Sequence, residues 1–251
     1  MKILTKKKEL RNLIFKGIIQ EELDSNYDYS QIIDISNLLE DCTIEIIPTL
    51  NTSNVTNMDN MFRNCISLKT IPQLNTSNVT NMHGMFYGCS SLETIPLLDT
   101  SNVTNMHGMF HSCYSLKEIP LFNTQNLIKI NGMFYNCSSL KEIPLLNTSN
   151  VTNIGGMFRN CKNLKTIPLL DTSKVTNMSN MFNGCENLEE KIELNMKNVK
   201  NHVNIYKGCT IIEQNEIEFE NKKIKEKFLK DENDFITELN KTTIDLPNLS
   251  F

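Results

Sequence analysis

The stretch NTSNVTNMDNMFRNCISLKTIPQ, residues 51–73, decides the fold, because with Leu74 it closes a 24-residue unit that then returns almost unchanged. Cys65, Cys89, Cys113, Cys137, Cys161, Cys185 and Cys209 stand 24 residues apart, and Cys42 precedes Cys65 by 23. A fixed period of this size is the signature of a stacked solenoid. The apolar positions of one unit are Leu68, Ile71, Leu74, Val79, Met82, Met85, Phe86 and Cys89. Burying so few side chains does not offset the entropy of ordering a whole unit. Stability must therefore come from stacking one unit on the next.

Bulk properties agree with a thin, elongated core. Hydrophobic residues make up 39% of the 251 residues, and net charge is −4. That balance removes the main electrostatic attraction to nucleic acid and to anionic membranes. Met1-Lys2-Ile3-Leu4-Thr5-Lys6-Lys7-Lys8 lacks the apolar core of a secretory signal, and no run of about 18 apolar residues exists. A cytoplasmic location is the expectation, with the cell surface as the alternative. The eight cysteines share one repeat position, so they are read as a ladder of reduced, buried thiols behaving as small apolar groups. Stacked side chains point the same way, which argues against disulfides.

In chain order, residues 5–20 carry Leu10, Leu13, Ile14, Ile18 and Ile19 on one helical stripe, with Thr5 as N-cap. Residues 20–30 are polar and are expected to connect. Ile35, Leu38 and Leu39 open a degenerate first unit. Within a full unit, Leu68–Ile71 is expected as a short strand ended by Pro72. Asn75-Thr76-Ser77-Asn78 is a turn, Val79–Met82 a second short strand, and Met85-Phe86 a helical turn closed by Gly88. Beyond Cys185 the pattern decays. Glu216–Glu220 alternates as an edge strand would, and Ile224, Phe228, Phe235 and Leu239 mark one face of a charged helix over 221–240. That helix is expected to cover the last open coil; a partner-binding helix is the alternative. The resulting divisions are 1–32 as an N-terminal helical cap, 33–209 as the solenoid and 210–251 as a C-terminal strand–helix cap.

The run L-x-x-I-P-x-L-N-T-S-N-V-T-N-M-x-x-M-F-x-x-C resembles the BspA-like leucine-rich repeat family of surface proteins. The resemblance covers about Ile33 to Cys209. It implies an α/β leucine-rich-repeat solenoid, here of about seven 24-residue coils with short strands and helical turns, capped by a helix at each end. Family members often carry Trp where Leu50, Leu74, Leu98, Leu146 and Leu170 stand, and this chain has no Trp. Most characterised members are exported adhesins or surface proteins.

Residues 24 apart become neighbours on successive coils, so a partner would read columns. Arg63, Tyr87, His111, Tyr135 and Arg159 form one column. Tyr and Arg are enriched at binding hot spots, which makes this the candidate protein-binding stripe. The plainer reading is that these side chains shield a turn and keep their polar ends wet. Asp59, His83 and His107 form a second column, with ligand-type side chains that could hold a metal and support a metal-dependent enzyme; continuation as Asn131, Gly155 and Ser179 favours drift. Lys69, Glu93, Lys117, Lys141, Lys165 and Glu189 form a third, beside Thr70, Thr94, Glu118, Glu142, Thr166 and Glu190. Their mixed signs suit a solvated face or a polar protein partner. A Thr ladder at Thr52, Thr76, Thr100, Thr124, Thr148 and Thr172 would suit ice binding, but the flanking Asn turns account for it more simply. The N-x-[ST] sequons at Asn54 and Asn78 are by-products of the repeat.

No catalytic group stands out: there is no phosphate-cradling glycine loop, no serine–histidine–acid set and no distinguished cysteine. The expectation is a non-enzymatic scaffold that binds a protein partner without cofactor, metal, nucleic acid or membrane span. A cell-surface adhesin is the alternative.

Overall fold

A computed structural model describes residues 1–18, 20–189 and 191–212. The chain winds as parallel coils whose register follows the repeat. Isolated parallel bridges join Asp34 to Asn57, Asn57 to Asn81, Asn81 to Asn105 and Asn105 to Lys129, then Asn153 to Asn177 and Asn177 to Asn201. The first step is 23 residues and the later ones 24, as the cysteine spacing requires.

The segment that holds the coils together is neither strand nor helix. Over residues 82–89 the backbone amides alternate in direction. Met82, Gly84, Phe86 and Gly88 donate to Asn105, His107, Met109 and His111 of the next coil at 2.7–2.9 Å. Met85, Tyr87 and Cys89 instead donate back three residues, to Met82, Gly84 and Phe86. Two positions per coil, four residues apart, take left-handed backbone: Asn60 and Asn64, Gly84 and Gly88, Gly108 and Ser112, Gly156 and Asn160. Only Gly, Asn, Asp and Ser occupy these positions, because other side chains clash there. A left-handed residue every fourth position forbids the helical turn expected around Met85-Phe86. Overlapping turns satisfy every second amide locally and free the others for the neighbouring coil.

The expected strand at 68–71 is also absent. Glu93 donates its amide to Lys69 of the coil before and accepts from Lys117 of the coil after. In a parallel strand both groups of one residue face the same neighbour, so this pairing is one bond wide. The proline that follows three residues later has no amide with which to extend it. The second expected strand, Val79–Met82, reduces to one residue, Asn81, bridged to Asn57 on one side and to Asn105 on the other.

At the N-terminus, β1 (Lys2–Ile3) pairs in parallel with β2 (Tyr27–Asp28). Between them lie α1 (Lys7–Phe15) and α2 (Gln20–Asn26). The expected helix over 5–20 is therefore two helices, and the expected connector is mostly α2. Gly17, at φ 76°, ends α1; its amide bonds to Ile14 and that of Ile18 to Leu13, a Schellman stop. The N-cap position is Lys6, without a side-chain cap, rather than Thr5. Leu10 and Ile14 of α1 are buried. Its exposed edge does something the sequence did not announce. Asp59, Met61 and Arg63 accept amides from the coil before them. Their counterparts in the first coil, Ser36, Leu38 and Glu40, have no coil before them. Lys7 Nζ donates to the Ser36 carbonyl at 2.7 Å, and Arg11 donates to those of Leu38 and Glu40 at 2.9 Å each. Two cations on α1 thus replace a missing coil.

All eight apolar columns named from the sequence are buried. Phe62, Phe86, Phe110, Phe134, Phe158 and Phe182 stack with centroids 5.5–5.8 Å apart. Phe122 fills the column of Leu74 and Leu98, packing against Phe110. The cysteines divide. Cys89, Cys113, Cys137, Cys161 and Cys185 are free and buried, and Cys209 is buried in the same column. Cys89 donates its thiol to the Phe62 carbonyl at 2.9 Å, and the same bond recurs from Cys113 to Phe86 and Cys137 to Phe110. Burial pushes the Cys89 thiol up to about 12, so these thiols are inert hydrogen-bond donors. Cys42 and Cys65, however, are joined as a disulfide with Cα atoms 4.8 Å apart. This corrects the expectation of eight reduced thiols at the first pair, where stacking brings the two Cα atoms within bridging distance.

Polar ladders close the turns. Asn75 and Asp99 accept from the amides of Ser77 and Ser101, the Asx-turn that Asn and Asp favour. The Thr ladder is buried, so it is no flat outer array. Thr100 Oγ1 donates to the Asn123 carbonyl at 2.9 Å, whereas Thr76 Oγ1 is buried without a partner. Thr100→Val is therefore expected to destabilise by about 1 kcal/mol and Thr76→Val to be neutral or stabilising. Parallel urea melts of the two variants check this; equal losses would remove the distinction.

Candidate interaction surface

Of the three side chains between the two left-handed residues of a coil, two are buried and the third, directly before the second left-handed residue, is half-buried: Arg63 before Asn64 and Tyr87 before Gly88. The fixed turn aims these side chains identically, so the column closes into one stack. Arg63 lies over the Tyr87 ring at 4.9 Å, Tyr87 stacks on His111 at 4.3 Å, His111 on Tyr135 at 4.4 Å, and Arg159 lies over Tyr135 at 5.2 Å. All five residues named from the sequence are thus brought together, half-buried. Ring faces are used up within the stack, and the ring edges form its outer border. Arg63 Nε sits 3.7 Å from Glu40 Oε1, which extends the column by one coil.

Burial between two tyrosine rings, helped by nearby His107, lowers the pKa of His111; its Nδ1 lies 2.9 Å from Ser112 Oγ. A folded-state value below the unfolded one means that folding favours the neutral ring. The stabilisation is complete above the ordinary histidine value near 6.5 and declines as pH falls through it. The melting temperature is expected to drop below about pH 6.5, and His111→Asn to flatten that drop. A wild-type profile flat between pH 5 and 7 would contradict the burial argument.

In the second column, His83 Nδ1 meets Asp59 Oδ1 at 2.7 Å, and His107 stacks on His83 at 5.0 Å. Among the described residues no group of three or more His, Cys, Asp or Glu side chains is placed to hold an ion. The charged column holds two ion pairs, Lys117 with Glu93 and Lys165 with Glu189; the position of Glu190 lies outside the described residues.

One column escaped the reading of the sequence. Leu97, Leu121, Leu145 and Leu169 are 62–70% exposed. Each stands directly before a buried residue, Leu98, Phe122, Leu146 or Leu170. Two large apolar residues in succession in extended backbone cannot both face inward. That was the available signal. Shallow grooves run along these leucines, one lined by Leu97, Asp99 and Leu121, another by Leu145, Leu169, Asp171 and Glu193.

Comparison with protein families matches the model described as "Mycoplasma protein of unknown function, DUF285" over residues 9–94, 33–144, 66–168 and 139–242. A comparison with curated proteins returns no match. Among solved structures, a leucine-rich repeat protein of T. pallidum is similar at 29% identity and TM-score 0.50, covering 72% of this chain and 78% of that one. A leucine-rich repeat protein of Eubacterium ventriosum is 22% identical at TM-score 0.48, covering 63% and 42%. One of Bacteroides ovatus is 22% identical at TM-score 0.43, covering 74% and 58%. Among the described residues no helix is long and apolar enough to cross a membrane.

Proposed function

This chain belongs to the DUF285 family and is similar to a leucine-rich repeat protein, and we propose a non-enzymatic scaffold that binds a protein partner through an extended face of the solenoid. The column Arg63, Tyr87, His111, Tyr135 and Arg159 carries the reading. Stacking holds these side chains in one arrangement, so little rotamer entropy remains to be lost on binding. Residue types enriched at hot spots are thereby presented as a rigid row. Residues 33–209 form the binding array in this reading, with α1 as its N-terminal cap. The helix expected at 221–240 lies outside the described residues.

The test compares capture by the full chain with capture by a Tyr87→Ala, Tyr135→Ala variant whose folding is verified by circular dichroism. Loss of a specific set of captured proteins supports the stripe. Unchanged capture by a folded variant discards it.

A second reading, an exported surface adhesin, is favoured by one observation. The Cys42–Cys65 disulfide suits an oxidising compartment. Labelling of intact source cells with a membrane-impermeant amine reagent separates the two. Modification before lysis supports the adhesin, and protection until lysis supports an internal partner.

A further inference from the structure

Acidic residues are missing from one half of four successive coils. Residues 79–92, 103–116, 127–140 and 151–164 contain no Asp or Glu, although the whole chain carries 29 acids against 25 Lys and Arg. The acids of these coils, Glu93, Asp99, Glu118, Glu142 and Asp171, all stand in the other half. The acid-free half holds Tyr87, His111, Tyr135 and Arg159, stacked as one row. Carboxylates of neighbouring coils that approach this half are already engaged: Glu40 beside Arg63, Asp59 on His83 and Glu186 on Lys162. Arg159 is in no ion pair among the described residues, and its buried Nε has no hydrogen-bond partner there. The hydroxyls of Tyr87 and Tyr135 likewise have no partner among the described residues.

The row therefore offers donors and an unmatched cation, without a carboxylate of its own. Its counterpart must supply acceptors, and negative ones make the stronger bonds to a guanidinium and to phenol hydroxyls. The ring faces are occupied inside the stack, so the bases of a nucleic acid have no face on which to stack. Carboxylates instead meet a guanidinium in its plane and a phenol at its edge. From Tyr87 to Arg159 three coil steps cover about 14 Å, and side chains four residues apart on an extended strand lie about 13 Å apart. On the reading that this row binds a protein, we propose that the partner presents an acidic segment, laid in extended form along the solenoid axis. One of its carboxylates meets Arg159, and those on alternate residues before it meet the hydroxyls of Tyr135 and Tyr87.

The test is fluorescence anisotropy of the full chain with a labelled peptide of about ten glutamates, long enough to cover the row. The expected result is saturable binding that weakens as salt rises and is absent with a glutamine peptide of equal length. Arg159→Gln should weaken binding about tenfold or more, and Tyr87→Phe with Tyr135→Phe, which keeps both rings, several-fold. Lys117→Gln, which removes a cation of the charged column, should leave it unchanged; circular dichroism verifies the fold of each variant. The proposal is overturned if the glutamate peptide does not bind, or if the Arg159 and tyrosine variants bind it as the parent does. It is equally overturned if Lys117→Gln weakens binding as much as Arg159→Gln, or if a thymidine oligonucleotide of equal length binds as tightly. Where the peptide fails to bind but the Tyr87→Ala, Tyr135→Ala variant still loses its captured proteins, the scaffold reading stands and the acidic partner alone falls.

Discussion

Removal of residues 75–98 leaves a folded protein one coil shorter, whereas removal of residues 87–98 alone abolishes cooperative folding. The whole unit begins and ends at equivalent points of neighbouring coils. After its loss, Leu74 joins Asp99, which stands where Asn75 stood. Phe62 then stacks on Phe110, and the amides of Met58, Asn60 and Phe62 meet the same carbonyl positions one coil further on. Only one interface is lost, so melting shifts by a few degrees, on the order expected when stability is a sum of neighbour terms. The twelve-residue deletion removes Cys89, Leu92, Ile95 and Leu98, all buried, and leaves half a coil that cannot return to the stacking axis. Far-ultraviolet circular dichroism, gel filtration and thermal melting distinguish the two products. A half-unit variant that melted like the parent would falsify the 24-residue coil.

Phe110→Ala is expected to destabilise by about 3–5 kcal/mol, the cost of a large cavity in a close-packed core. Phe110 is fully buried. Its ring stacks on Phe86 at 5.5 Å and on Phe134 at 5.8 Å, and lies 6.4 Å from Phe122. Truncation interrupts the phenyl column from both sides, and the turn backbone around it is too constrained by inter-coil bonds to collapse into the space. For a domain stable by about 5–15 kcal/mol, a loss of that size is a large fraction of the whole. Denaturant melts of Phe110→Ala and Phe110→Leu give the measure: the leucine variant, which keeps much of the volume, should lose less. A loss under about 1 kcal/mol for the alanine variant would mean the phenylalanines are not the core.

The columns were legible because a strict repeat converts sequence distance into spatial adjacency. Asp59 beside His83, Tyr87 against His111 and Lys117 against Glu93 follow from 24-residue spacing alone. The buried set from Leu68 to Cys89 followed from the same alignment. The backbone between Met82 and Cys89 was not legible. Short apolar spacing there reads as a helical turn, but Gly84 and Gly88 take left-handed backbone. The recurrent Gly or Asn at those two positions was the signal for it. The division of α1 from α2 followed from Gly17, a single residue against a continuous apolar stripe.

By itself the sequence determined the period, the solenoid and the identity of each stacked column, because these depend only on which residues recur and how far apart. Tertiary structure decided what lay within one period. It chose which of two adjacent leucines faces out, which amides turn to the next coil, and that Lys7 and Arg11 stand in for a coil before the first. It also brought Cys42 within bonding distance of Cys65. Those choices are made where backbone groups of successive coils must find partners at once, and a local stretch of sequence carries no record of the carbonyls above and below it.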